Sequence, residues 1–494
     1  MALLVDDVLA CAAAAGPDRL AVTLGDDALT FSQVRKQSHR LANALSGWGL
    51  SRGDRVAHWS DICLDAVPLQ FALGRLGSAY APLNPGYSPE EARAALEYLS
   101  PRLLVADEAH ADRAEMLARE LDIPLALLGG RGPGTSLDDL AAAASASEPA
   151  AAQPSEADIF NVFLTSGSTG APKGVMISQR ATWLRTFAGC QTTSTTGGRG
   201  QLVMFPLFHM AGWIFAYYAW SSHRPAHLVR RADAAELLSA ARRYQPDVLY
   251  CIPAVWRRVL VATTPDDLAT LKWAMIGTSV VETELLQEIR ERFPHTRTTV
   301  SYGSTEAGRA VSLPDADLLR KPLSVGLPVP GYRAQVAEDG ELLLSGEMLM
   351  AGYYDLPAET AAVLEDGWYH TGDLVEQDGD GYLYVVGRKR EIIRSGGEST
   401  APIEVERALE GLPGVADLAV VGMPDPQWGE VVCAVLVMAD GSPPPSVEEL
   451  RGHLEGRLAS HKHPRRVLVT GAIPRTAATG QIRRALLANL KEAQ

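Results

Sequence analysis

The stretch Leu164–Val175, "LTSGSTGAPKGV", sets three glycines, four hydroxylated residues and one lysine between apolar flanks. It follows "IFNVFL" (159–164), an apolar run of β-forming residues, and a linker rarely sits directly behind such a strand. A glycine-rich turn there exposes backbone N–H groups in a concave arrangement that suits phosphate oxygens. Ser166, Ser168 and Thr169 add hydroxyl donors, and Lys173 adds a mobile positive charge. Only two residues separate Gly170 from Lys173, so the spacing is not that of a G-x4-G-K-[ST] loop. Composition alone leaves a phosphate-holding loop and a plain flexible loop both open.

Upstream of this stretch the chain alternates helical and strand-like pieces. "FSQVRKQSHRLANALSGWGL" has helical spacing, "RVAHWS" reads as a strand, "DAVPLQFALGRLG" as a helix and "AYAPLNP" as a short strand. That rhythm predicts an α/β domain with a largely parallel sheet. Residues 141–158 are poor in bulky side chains and carry two prolines, which predicts a surface loop. Downstream, "DVLYCIP", "WAMIG" and "TTVSYG" are further strand candidates. From about 321 the texture shifts to short strands and turns, and the last hundred residues alternate again as a small α+β unit with its own core.

The length of 494 residues suits roughly three domain-sized units. A content of 47% hydrophobic and 21% charged residues is that of an ordinary globular protein. The net charge of −14 gives no global basic field to attract nucleic acid or an anionic membrane. The start, "MALLVDDVLACAAAAG", lacks the basic region of a signal peptide, and no apolar run is long enough to span a membrane. The five cysteines (Cys11, Cys63, Cys190, Cys251, Cys433) are scattered without a C-x-x-C pair, which predicts a reduced, cytoplasmic protein.

Four more segments follow the opening stretch in order: "SYGSTEAG" (301–308), "YHTGDL" (369–374), "GRKREIIRSGGE" (387–398) and "PRTAATGQIRR" (474–484). Together the five resemble the motifs of the adenylate-forming superfamily, and within it the acyl- and aryl-CoA synthetases. The resemblance implies a large N-terminal domain of several subdomains, with parallel-type sheets and a β-rich part, at 1–389. A small mobile α+β domain would follow at 390–494, with a hinge near Arg390. It implies that ATP and a carboxylate give an acyl-adenylate and pyrophosphate, and that a thiol, most often that of CoA, then displaces AMP.

The resemblance also implies roles. Thr165, Ser166, Gly167, Ser168, Thr169, Gly170 and Lys173 would form the loop over the β- and γ-phosphates. Tyr302 would pack on adenine, with Gly303 and Ser304 completing the turn, and Thr305 would contact the α-phosphate. Glu306 would hold Mg2+, with Thr165 as a second metal contact. Asp373 would bind the ribose hydroxyls, and Arg388 would assist. His209, in "FPLFHMAGW", would stand at the mouth of the acid pocket. Trp213 would sit on its wall, and Gly277, Thr278 and Gly303 would line it. A bulky indole, and side chains at Thr278 and Ser279 where the family often has glycines, point to a small or aromatic acid. Lys462, Arg465 and Arg466 would meet CoA phosphates, or form a solvated basic loop.

The last motif departs from the pattern. The superfamily has P-R-x-x-x-G-K there, and its lysine serves adenylation. Here Gln481 follows Gly480, one extra residue separates Arg475 from that glycine, and the next lysine is Lys491. Gln481 still donates hydrogen bonds but carries no charge. Three explanations stand open: a substitution introduced to trap a complex, a natural enzyme with slow or altered adenylation, or a nucleotide-binding relative that no longer catalyses. The acid or acceptor also stays open (another oxyacid, an amine, a carrier-protein thiol acting in trans).

Overall fold

The computed structural model describes residues 2–130, 132–149, 153–166, 172–193, 198–395, 398–439, 441–476 and 480–488. Two large mixed sheets build the first part. The nine-stranded sheet has the parallel strands Gln201–Val203, Val248–Cys251, Trp273–Gly277 and Arg297–Ser304 near its centre, and Gly308–Leu313 returns antiparallel. In the eight-stranded sheet the parallel strands Arg55–Trp59, Ala79–Pro82 and Leu103–Ala106 lie beside the hairpin of Ile159–Ser166 and Pro172–Ser178. Both centres are nearly continuously buried, as strands covered on two faces require, with the polar His58, Gln201, Thr298, Thr299 and Ser301 buried among the apolar residues.

Local chemistry places the helices. Phe31–Gly47 begins at a capping box of Thr30 and Gln33. Ala66–Leu76 is buried throughout and ends at Gly77, whose φ of 69° suits a residue without Cβ. Met210–Ser221 is also apolar on every side, with every residue from Ala211 to Trp220 buried in the main core. Its Trp220 indole donates to Ala21 O of the first sheet, and Trp213 meets Tyr80 of the second. The helix is therefore held between the two sheets.

Arg333–Val336, Glu341–Ser345, Leu364–Glu365, Trp368–Gln377 and Leu383–Arg388 form an antiparallel five-stranded sheet, the expected β-rich part. A second five-stranded sheet runs from Ile393 to Val469, with helices Pro402–Leu409 and Val447–Leu454 over one face and Ile473 and Leu487 over the other. One expectation changes in detail. The loop predicted at 141–158 begins inside helix Leu137–Ala143. The segment "HTGDL" lies within the strand Trp368–Gln377, where Gly372 at φ 71° and a register shift after Leu374 break the pleat. No helix among the described residues is long and apolar enough to cross a membrane.

Candidate active site

The glycine-rich stretch is the end of a hairpin. Thr165 faces Lys173 across the ladder, and its hydroxyl donates to Lys173 O at 3.3 Å. Ser166 closes the first strand; Gly167, Ser168, Thr169 and Gly170 lie outside the described residues. Tyr98 anchors the returning strand, accepting from Gly174 N at 3.1 Å while donating to Tyr354 O at 2.5 Å. Lys173 Nζ sits 5.0 Å from the centroid of the Tyr353 ring, a cation–π contact. The Tyr353 hydroxyl donates to Glu306 Oε1 at 3.1 Å, and burial with the nearby Glu306 charge raises its pKa, so it stays a donor.

The second motif turns between strands Arg297–Ser304 and Gly308–Leu313. A Cβ on Gly303 would stand 1.8 Å from Gly308 O, so only glycine fits the turn. Tyr302 donates its hydroxyl to Asp373 Oδ2 at 2.5 Å, and Arg388 Nε donates to Asp373 Oδ1 at 2.9 Å. Asp373 and Arg388 are cross-strand partners, so two motifs 15 residues apart meet through one ladder position. Burial and the adjacent Asp373 charge raise the Tyr302 pKa and keep the phenol neutral.

On the other side of the turn, His209 caps helix Met210–Ser221, its Nδ1 accepting from Ala211 N at 3.3 Å. Its ring stacks on Phe205 at 5.9 Å, and burial pushes its pKa down to about 4, so the imidazole is neutral. Phe215 packs on Phe205 at 5.9 Å and on Tyr250 at 4.5 Å. A Cβ on Gly277 would be 2.5 Å from the Tyr250 hydroxyl and 2.2 Å from Ser301 O, so this aromatic group closes directly on the Gly277 backbone. Thr278, at φ 71°, follows it.

Trp213, expected on the wall of the acid pocket, lies apart from this aromatic group. Residues two apart on a helix point roughly 200° apart, and Trp213 faces away from the Phe215 group. It is 1% exposed, stacked at 6.2 Å on Tyr217 and edge-on at 5.5 Å to Tyr80, and its indole N–H has no hydrogen-bond partner among the described residues. It is buried between the two sheets.

The last motif reaches the strand end that carries Gly277 and Thr278. Arg475 bridges Ile482, Gly480 takes φ 67°, and Gln481 Nε2 comes within 3.5 Å of Thr278 O, at the end of strand Trp273–Gly277. Lys491 lies outside the described residues. Of the basic residues Lys462, Arg465 and Arg466, Lys462 pairs with Glu404 and Arg466 with Asp425, while Arg465 lies 4.1 Å above the Trp428 ring. Around Arg390, two ion-pair clusters grip its neighbours. Lys389 Nζ is 2.7 Å from both Glu341 and Asp339, and Glu391 is 2.9 Å from Arg484.

Sequence reasoning missed Tyr353, Glu341, Phe215, Tyr250 and Arg185. Buried Glu341 gathers Lys389, His370 Nδ1 at 3.2 Å and Gly372 N at 2.8 Å. None of the five carries a motif signal; each works through a partner distant in sequence.

The family description "AMP-binding enzyme" matches residues 9–354, and "AMP-binding enzyme C-terminal domain" matches 404–479. The chain belongs to this adenylate-forming family. A feruloyl-CoA synthase of Amycolatopsis is 34% identical to it over 95% of this chain and 96% of the relative. An indoleacetate–CoA ligase of Aromatoleum aromaticum is 30% identical over 95% and 94%. The ATP-bound MatB structure from Rhodopseudomonas palustris superposes with a TM-score of 0.89 at 26% identity, covering 99% of this chain and 98% of that one.

Proposed function

We propose that this protein is an acid–CoA ligase that activates a small or aromatic carboxylic acid as its adenylate. The observation that carries the reading is the meeting of the ordered motifs at one cleft: Asp373 held by Tyr302 and Arg388, with Glu306, Tyr353 and Lys173 linked beside it. One carboxylate oxygen of the acid attacks the α-phosphorus of ATP, the bond to the bridging oxygen breaks, and pyrophosphate leaves. The CoA sulfur, having lost its proton, then attacks the acyl carbon, and AMP leaves with the electron pair of the broken C–O bond.

In this reading Asp373 receives the ribose, Tyr302 packs on the base, Thr305 and Lys173 meet phosphate oxygens, and neutral His209 borders the acid without adding charge. Mg2+ characteristically takes one or two carboxylates and completes its shell with phosphates and water. Glu306 supplies such a carboxylate and Thr165 a hydroxyl, so these residues fit the ion, which when bound would neutralise phosphate charge. Phe205, Phe215 and Tyr250 take over the wall assigned to Trp213. Their flat apolar faces, together with relatives named for feruloyl and indoleacetate substrates, favour an aromatic acid.

The large unit then ends at 389 and the small one begins at Arg390, the residue left between the two ion-pair clusters. Gln481 occupies the position of the superfamily's lysine, and its neutral amide beside Thr278 makes adenylation the slower half-reaction. The Arg465–Trp428 pair offers a cationic, flat surface to the CoA nucleotide. Screening a panel of aryl, arylalkanoic and short aliphatic acids for ATP-dependent pyrophosphate release, with and without CoA, tests the reading. Release with an aromatic acid and thioester formation with CoA support it; thermal shifts with ATP but no release with any acid overturn it in favour of a nucleotide sensor.

A further inference from the structure

Arg185 lies on helix Gln179–Thr193, directly behind the strand that carries Lys173, and is only 3% exposed. Its guanidinium makes three hydrogen bonds to backbone carbonyls: Nη1 to Thr305 O at 3.1 Å, Nη2 to Glu306 O at 2.6 Å and Nε to Met348 O at 2.8 Å. Met350 N donates to the same Glu306 carbonyl at 2.8 Å, and the Tyr332 hydroxyl donates to the next carbonyl, Ala307 O. Gly308 leaves room for the arginine: it sits at φ 65°, and a Cβ there would lie 3.0 Å from Arg185 Cδ and Nε.

One planar fork thus ties three segments that handle phosphate in the proposed reaction: the helix behind Lys173, the turn of Thr305 and Glu306, and the run Met348–Tyr353 whose tyrosine touches both Lys173 and Glu306. Burying a guanidinium is costly unless its donors are met, and here three carbonyls meet them. Lysine, a point charge, cannot reproduce a fork that reaches three acceptors.

We propose that Arg185 is a positioning residue for adenylation: by drawing the Thr305 and Glu306 carbonyls back into the core, it fixes the Thr305 hydroxyl and the Glu306 carboxylate for the metal–phosphate end of ATP. Arg185 touches no substrate. The inference rests on the adenylation reading above.

The test compares Arg185→Lys and Gly308→Ala with the parent protein, at temperatures well below each melting point. The first readout is nucleotide binding, as the thermal shift by ATP across a Mg2+ titration and again in EDTA. The second is acid-dependent pyrophosphate release. Both variants should need about tenfold more Mg2+ for half of the ATP shift, the fold-change of one lost charge-assisted hydrogen bond. Metal-free ATP binding, which depends on Asp373 and Tyr302, should change less than twofold. Turnover should fall with little change in the KM for the acid. A lowered melting point with the parent's Mg2+ midpoint would make Arg185 merely structural and overturn the proposal. If Arg185→Lys does not fold, the Gly308→Ala midpoint decides alone. A parent protein that binds MgATP but releases no pyrophosphate sinks the adenylation reading while leaving the Mg2+ comparison to decide the role of Arg185.

Discussion

The two halves of the cleft are built differently. On the side proposed to take the nucleotide, Asp373 is hydrogen-bonded by Tyr302 at 2.5 Å and by Arg388 at 2.9 Å, and Glu306 by Tyr353 at 3.1 Å. On the side proposed to take the acid, Tyr250, packed on Phe215 and through Phe205 on neutral His209, closes on bare Gly277 backbone, and Gln481 of the last motif comes within 3.5 Å of Thr278 O. A charge-paired side fixes what it binds; a side of rings and one long contact is where rate and specificity can be retuned.

Asp373→Ala strikes the fixed half and should have the largest effect. Two hydrogen bonds to a charged group are worth about 1.5–3 kcal/mol each, so ATP binding should weaken by about 10²-fold or more. The thermal shift with MgATP should nearly vanish, and an unchanged shift would remove the ribose assignment.

Gln481→Lys probes the loose half. Restoring a charge near oxygens that reorganise as pyrophosphate departs should speed pyrophosphate release by more than roughly tenfold. Thioester formation from pre-made acyl-adenylate should hardly change. Parity in the first assay, with a robust parent activity, would mean that the chain stabilises this charge by other means.

A smaller effect is expected at the acid wall. Phe215→Ala should admit longer or bulkier acids by several-fold in kcat/KM, within the ~1–3 kcal/mol that a pocket methylene commands. Trp213→Ala should instead lower stability by about 3–5 kcal/mol, as for other buried aromatics, and leave the length profile in place. The opposite pattern would return Trp213 to the wall.

The smallest effect concerns pH. His209, held down at about pKa 4, is neutral across the physiological range, so it should add no inflection to kcat/KM between about pH 5.5 and 8. His58, buried and pushed to about 4, behaves alike. The unfolded chain protonates both near the ordinary 6.5 while the native state does not, so stability should decline as pH falls from about 6.5 toward 4. Urea midpoints at pH 7 and pH 5 check the sign.

That the segments around Asp373 and Glu306 belong together was legible because they are punctuated by glycines with backbone reasons, such as Gly303 against Gly308 O, and because they follow a fixed order. The parallel strands were legible as short buried runs such as "WAMIG". The acid half was not. Helix Met210–Ser221 is apolar all round, so no polar face told which of Trp213 and Phe215 looks at the substrate. Arg185 in "TWLRTFAG" and Glu341 in "DGELLL" read as surface charges, since burial of a charge depends on acceptors more than a hundred residues away for Arg185 and on Lys389 for Glu341.

Tyr302 and Arg388 take one hydrogen bond at each oxygen of Asp373, and since a carboxylate offers about four lone-pair sites, places remain for the ribose hydroxyls of the proposed reading. A carboxylate held in this way stays partnered when a hydroxyl is missing. Sites that strand a polar group when the hydroxyl is missing reject such analogues by about 10⁴–10⁵. Here Tyr302 and Arg388 keep Asp373 partnered, so deoxynucleotides should compete with ATP at far milder discounts, within about tenfold for the 2′- and 3′-deoxy forms in the same thermal-shift assay, and sugar selectivity becomes the weakest filter of the proposed nucleotide site.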